Sequence, residues 1–137
     1  MSKIVQLPSE DWFDISEQSN AIGAMVQECH GRSVRAGWYH DPFDGMPLKR
    51  NVGEMLALCH SELSEAMEGH RKNMMDTHLT HRKMIEVELA DALIRIMDLA
   101  GYLKLDVGGA YAEKLAYNAS RADHTPEARA AAGGKAY

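Results

Sequence analysis

The sequence predicts an all-α protein, with four main helices in an antiparallel bundle. Three observations carry that expectation. Apolar residues recur at steps of three, four and seven in four separate segments, turn-forming residues gather between those segments, and no stretch competes with strand-like alternation. The chain has 137 residues, of which 45% are hydrophobic and 26% charged, so it is long enough for one domain with a real core.

Ser9 is placed to cap a first helix, in which Ile15, Ile22, Val26 and Cys29 recur at helical spacing up to about Gly31. Residues 31–50 then read as a long connection, punctuated by Gly37, Pro42, Gly45 and Pro47. Its aromatic residues Trp38, Tyr39 and Phe43 suit either of two tasks, holding a flat ligand or clamping the loop to the core. A second helix is expected over about Asn51–Lys72, with Val52, Met55, Leu56, Cys59, Leu63, Ala66 and Met67 as its buried stripe. After a polar break at 73–80, a third is expected over about His81–Leu103, burying Ile85, Leu89, Ala92, Leu93, Ile96 and Ala100. A fourth starts at Gly108-Gly109 and runs to about Arg121. Residues 1–124 form the domain, and 125–137, small and Gly-rich, read as a flexible tail.

Two cysteines, Cys29 and Cys59, are too few for a disulfide framework and suit packing in a reducing compartment. Arg95 and Asp98 interrupt the best apolar run, so no membrane span is expected, and the N-terminus lacks the pattern of a signal peptide. A cytoplasmic protein is the expectation. The net charge of −5 speaks against a nucleic-acid polymer as partner, but not against a small anion that arrives with metal ions.

The second and third helices share a short echo: Glu62-Leu63-Ser64-Glu65 and Glu88-Leu89-Ala90-Asp91. Positions three apart on a helix lie about 60° from each other, so each pair points to one side. In both helices the pair falls on the same edge of the apolar stripe, whose middle lies about 80° from the first acid. If the two helices pack antiparallel, four carboxylates converge. Such a cluster needs a positive charge, and its hard oxygen ligands suit Mg²⁺, with Mn²⁺ as a substitute. A single E-x-x-E is common on a solvated helix face; the repetition at matching offsets is what raises the metal reading. On the fourth helix, Lys114, Asn118 and Arg121 at i, i+4 and i+7 fall within about 60° of one face. A point charge, an amide and a planar fork of donors suit a phosphate chain, although a solvated basic stripe has the same spacing.

Together these motifs resemble the signature of the all-α nucleoside triphosphate pyrophosphohydrolases, the MazG-like proteins, whose relatives include dimeric dUTPases and dCTP pyrophosphatases. Glu62-x-x-Glu65, 22 intervening residues and Glu88-x-x-Asp91 are followed in order by Lys114-x3-Asn118-x2-Arg121, over about residues 50–124. The resemblance implies Mg²⁺-dependent hydrolysis of a (d)NTP to its monophosphate and pyrophosphate, by water attack at the α-phosphorus. It implies that Glu62, Glu65, Glu88 and Asp91 hold the metal and carry the catalysis, and that Lys114, Asn118 and Arg121 bind the phosphates. It also implies a homodimer or homotetramer, in which helices of two chains complete each site.

The chain departs from many relatives in carrying Arg95 four positions after Asp91, where an aromatic often stands, and Gly69-His70 after the second glutamate. Base preference therefore does not transfer. Arg95 suits either phosphate or a salt bridge to Asp91, and Trp38 and His40 are the candidates for base contacts. No G-x-S-x-G, C-x-x-C or P-loop context is present, and His40-Asp41 precedes a proline in a loop rather than lying on a helix. The alternative outside enzymology is a helical interaction or nucleotide-sensing module.

Overall fold

A computed structural model describes residues 4–6, 12–131 and 133 of the protein. Among these, most of the chain is helical: α1 (Ile15–Arg35), α2 (Val52–Arg71), α3 (Met84–Tyr102), α4 (Val107–Ser120) and the short α5 (Pro126–Ala130). Two three-residue strands, β1 (Ile4–Gln6) and β2 (Trp12–Asp14), pair antiparallel with Ile4 opposite Asp14 and Gln6 opposite Trp12. The expectation of no strand is corrected there, since three-residue strands are too short to display an alternation. The first helix starts at Ile15, directly after β2, and Ser9 lies outside the described residues.

Gly31 does not end α1. The helix continues one turn, to Arg35, so the connection shortens to residues 36–51. The stop is Gly37, at φ +87°, where Gly37 N–H donates to Val34 O (3.0 Å) and Trp38 N–H to Ser33 O (3.2 Å). That paired closure satisfies the last carbonyls of a helix, and glycine adopts the left-handed conformation it needs without steric cost. α2 and α3 end the same way with other residues in that place, Asn73 at φ 49° and Lys104 at φ 55°. Their closures are Met74 N–H to Gly69 O and Leu105 N–H to Ala100 O, both 2.9 Å.

At their starts, Asn51 caps α2 by accepting from Glu54 N–H (3.2 Å), and Asp106 caps α4 by accepting from Gly109 N–H (2.8 Å). The first part of the expected tail contains the short helix α5. Thr125 caps α5 through Ala128 N–H (3.2 Å), and Pro126 enters the first turn, where its missing N–H has no role.

The described chain divides into two compact units, Met25–Leu105 and the pair of segments Met1–Ala24 and Asp106–Tyr137. In the first, α2 and α3 pack side by side. Their direction is antiparallel, because Gly69 near the end of α2 meets Met84 at the start of α3, while Met55 near the start of α2 shares a core cluster with Leu99 near the end of α3. Tyr39 completes that cluster, against Val34, Val52 and Tyr102. Elsewhere the packing relies on small residues: Ala66, Ala92 and Ala100 are buried.

The buried stripes differ from those expected. Met55, Cys59, Glu62, Ala66 and Gly69 are the buried residues of α2, while Leu56, Leu63 and Met67 are exposed. α3 buries Glu88, Ala92, Met97, Leu99 and Ala100, and exposes Leu89, Leu93 and Ile96. Against the expected stripe, the buried face of α2 is turned about 60° toward the acids, and that of α3 by about half as much, far enough to include Glu88. The acids stand inside the α2–α3 interface, and the large aliphatic side chains face outward. In the second unit, Gly108 at the start of α4 faces Ser19 of α1 so closely that a Cβ there would lie 2.4 Å from the Ser19 carbonyl oxygen.

Candidate functional site

Glu62 and Glu65, one turn apart on α2, meet Glu88 of α3. One carboxylate oxygen from each lies within 4.8 Å of the other two. Glu62 and Glu88 are buried and Glu65 is exposed, so the triad opens to solvent on one side. Burial, then the Glu65 charge, then contact with Glu62 and the charge of Asp91 push the Glu88 carboxyl up to about 7. Asp91 is raised as well, by burial and by the Glu62 charge, with Arg95 opposing. Crowded anions that resist ionisation are what an uncompensated carboxylate cluster produces. Asp91 stands beside the triad rather than within it, half-buried one turn along α3.

Arg95 supplies the local positive charge. Its Nε donates to Glu62 Oε1, so its partner is Glu62 on the neighbouring helix rather than Asp91 four residues back. The guanidinium remains partly exposed, at 42% of its side chain.

A cavity of about 580 Å³ adjoins the cluster. Glu62, Asp91 and Arg95 line one end, and Trp38, Arg50 and Asp98 also line it, with Met55, Leu58 and Ile94 giving an apolar surface between polar groups. Concave space with an apolar wall and a few convergent polar groups is the general form of a small-molecule site. Trp38 therefore sits where a ligand would lie, while Tyr39 is buried and clamps the loop and Phe43 is almost fully exposed. His40 does not line the cavity; it is exposed, and its backbone pairs with that of Pro47.

The basic set belongs to the other compact unit. Lys114 and Asn118 are one turn apart on α4, with Lys114 Nζ 4.7 Å from the centre of the Tyr117 ring. The Asn118 side-chain oxygen is shielded from solvent and has no hydrogen-bond partner among the described residues. Arg121 departs from the expected helical face. It is the C-cap of α4 in extended conformation (φ −72°, ψ 126°), and its fork grips Asp123 through Nε (2.8 Å) and Nη2 (2.5 Å).

Sequence reasoning missed the groups at the far end of the cavity. Asp98 accepts from Tyr39 Oη–H (2.8 Å) and lies 2.8 Å from His30 Nδ1, both at Oδ1. Tyr39 stacks on Tyr102 (ring centres 5.1 Å apart) and meets His30 edge-on (4.8 Å). Burial and the bond to Asp98 raise the Tyr39 hydroxyl pKa, which keeps it a donor. Arg50 lies 5.8 Å over the Tyr39 ring and donates from Nη1 to Trp38 O (2.9 Å). The signal for Asp98 was its position, an acid in the apolar second half of α3, seven residues after Asp91.

Cys59 is buried and Cys29 half-buried, and burial raises both thiols, as expected of packing residues rather than nucleophiles. No helix among the described residues is long and apolar enough to cross a membrane. Comparison of the chain with protein-family models, with curated proteins and with solved structures finds no match.

Proposed function

We propose that the protein is a Mg²⁺-dependent pyrophosphohydrolase of nucleoside triphosphates, in which water attacks the α-phosphorus and pyrophosphate leaves. The observation that carries this reading is the convergence of Glu62, Glu65 and Glu88 beside a cavity of nucleotide size. The donor set fits the ion. Oxygens around an octahedral Mg²⁺, each about 2.1 Å from it, lie about 3–4 Å apart, and the triad spans at most 4.8 Å before any ion draws it in. Glu62, Glu65 and Glu88 would hold the metal, with Asp91 next to them. A bound divalent ion would supply charge neutralisation to the phosphates and a lowered pKa to a coordinated water.

The chain's own groups account for the rest. Arg95, already in the cluster and partly exposed, offers donors to a phosphate oxygen when Glu62 turns to other partners. Asp91, beside the triad rather than within it, is the carboxylate placed to take the proton of the attacking water. Lys114, Asn118 and Arg121 remain the proposed phosphate contacts, and the resemblance supports them.

The outward aliphatic stripes support self-association. Leu56, Leu63 and Met67 recur on one side of α2, and Leu89, Leu93 and Ile96 on one side of α3, all at least 40% exposed. A contiguous apolar face of this kind is covered in soluble proteins by a partner, and here that partner is a second copy of the chain.

The test is pyrophosphate release from the eight common NTPs and dNTPs with Mg²⁺ or Mn²⁺, using Glu62→Gln and Glu88→Gln as controls. Metal-dependent release that both substitutions abolish is the expected result. A folded protein that releases no pyrophosphate from any of them contradicts the proposal and leaves the interaction-module reading.

A further inference from the structure

The cavity has a direction. Helix α3 contributes Asp91, Ile94, Arg95 and Asp98 to its wall, and α2 contributes Glu62, Leu58, Met55 and Glu54 running the opposite way. Asp91 and Asp98 are seven residues apart, which is about 10 Å of helix rise. A nucleotide whose phosphates lie at the Glu62 end therefore reaches the Asp98 end with its base, because the sugar is too close to the phosphates to span that distance.

Asp98 is built as an acceptor. Tyr39 and His30 both bond to Oδ1, which fixes the plane of the carboxylate, and Oδ2 has no partner among the described residues. Tyr39 is itself only 6% exposed and is locked between His30, Tyr102 and Arg50, so the orientation it imposes is rigid. Gly101 lets α1 come close enough for this, since a Cβ at that position would lie 2.4 Å from the His30 Cβ. A carboxylate without a proton accepts and does not donate. Opposite a carbonyl oxygen, its free oxygen would meet a second acceptor, and both would lose their hydrogen bonds to water.

We infer that Asp98, held by Tyr39 and His30, selects nucleotides whose base carries an amino group at the position farthest from the sugar, over those that carry a carbonyl there. The inference rests on the pyrophosphohydrolase reading for the placement of the phosphates. Asp98 would be the specificity-determining contact, and Tyr39 and His30 positioning residues behind it. Trp38, at the same end, offers a flat surface against which the base can lie.

Two pairs of nucleotides differ at that group and, with it, at the adjacent ring nitrogen, which carries a hydrogen only in the carbonyl form: CTP with UTP, and ATP with ITP. Equilibrium binding of all four is measured with Ca²⁺ in place of Mg²⁺, and kcat/KM for all four is measured with Mg²⁺, for wild type, Asp98→Asn and Tyr39→Phe. Asparagine keeps the shape and an oxygen for Tyr39 and His30, but turns a donor toward the cavity; a thermal melt confirms the fold. The expected result is that wild type favours CTP and ATP over their partners by about tenfold or more. Asp98→Asn should remove or reverse that preference, and Tyr39→Phe should narrow it.

Equal binding within each pair by wild type overturns the inference, as does an equal loss for all four nucleotides in Asp98→Asn. Discrimination in binding without any hydrolysis supports Asp98 and rejects the pyrophosphohydrolase reading instead. Hydrolysis without discrimination does the reverse, and failure to bind any of the four overturns both.

Discussion

Glu88 concentrates the electrostatics of the α2–α3 interface. It is buried, with Glu62 and Glu65 against it and Asp91 one turn away, and its carboxyl titrates at about 7 instead of the ordinary 4.5. The folded protein therefore keeps a proton between pH 4.5 and 7 that the unfolded chain has lost, and metal-free stability falls as pH rises through that window. At 1.36 kcal/mol per unit the loss reaches up to about 3 kcal/mol, and it is complete above pH 7. Thermal melts in EDTA at pH 5 and pH 8 should show it, and Glu88→Gln, which cannot ionise, should flatten the difference. Mg²⁺ should reverse the trend at pH 8, because a bound cation stabilises the ionised cluster. The sequence displayed these carboxylates and their offsets plainly. It did not display Tyr39, His30 and Asp98 as a group, because they come from a loop and two helices distant along the chain.

The α2–α3 hairpin is the element that sets the site. Its close packing depends on Gly69, where an added Cβ would lie 2.8 Å from the Met84 Cβ and Cγ. Gly69→Ala gains about 1 kcal/mol of helix propensity, yet the overlap with Met84 costs about 1–3 kcal/mol and should dominate. Chemical denaturation should give a net loss, and replacing Met84 with alanine in the same background should restore part of it. A similar close approach makes Gly108→Ala destabilising, since the obstacle is the rigid Ser19 backbone. The positions of the helices were legible from periodicity, but their rotation was not. Leu56, Leu63 and Met67 look like the core of α2 by hydropathy, whereas packing against α3 places Glu62, Ala66 and Gly69 inside. Glycine misleads at the end of α1, where Gly31 lies one turn inside the helix, whereas α2 and α3 end where expected, closing on Asn73 and Lys104 without a glycine.

At the scale of the whole molecule, the core is thin. No large side chain among the described residues is below 2% exposure, while the aliphatic stripes of α2 and α3 face outward. Self-association through those stripes should appear as a dimer or larger species in sedimentation velocity. Leu63→Glu with Leu93→Glu should shift the protein to monomer, through charges placed at an apolar interface. A monomeric wild type would remove the second copy from the proposal. The resemblance that implied an oligomer draws on motif spacing, and the outward stripes are a separate observation pointing the same way.

The acids between α2 and α3 are proposed as a divalent-cation site, and direct titration of the ion tests that site without a substrate. Isothermal titration of Mg²⁺ and Mn²⁺ into the protein at pH 8 and pH 6 should show saturable binding. That binding should weaken at pH 6, where Glu88 keeps its proton, and disappear in Glu88→Gln. Saturable binding that Glu88→Gln leaves intact, or no binding at pH 8 by a folded protein, would rule out a cation site at these acids.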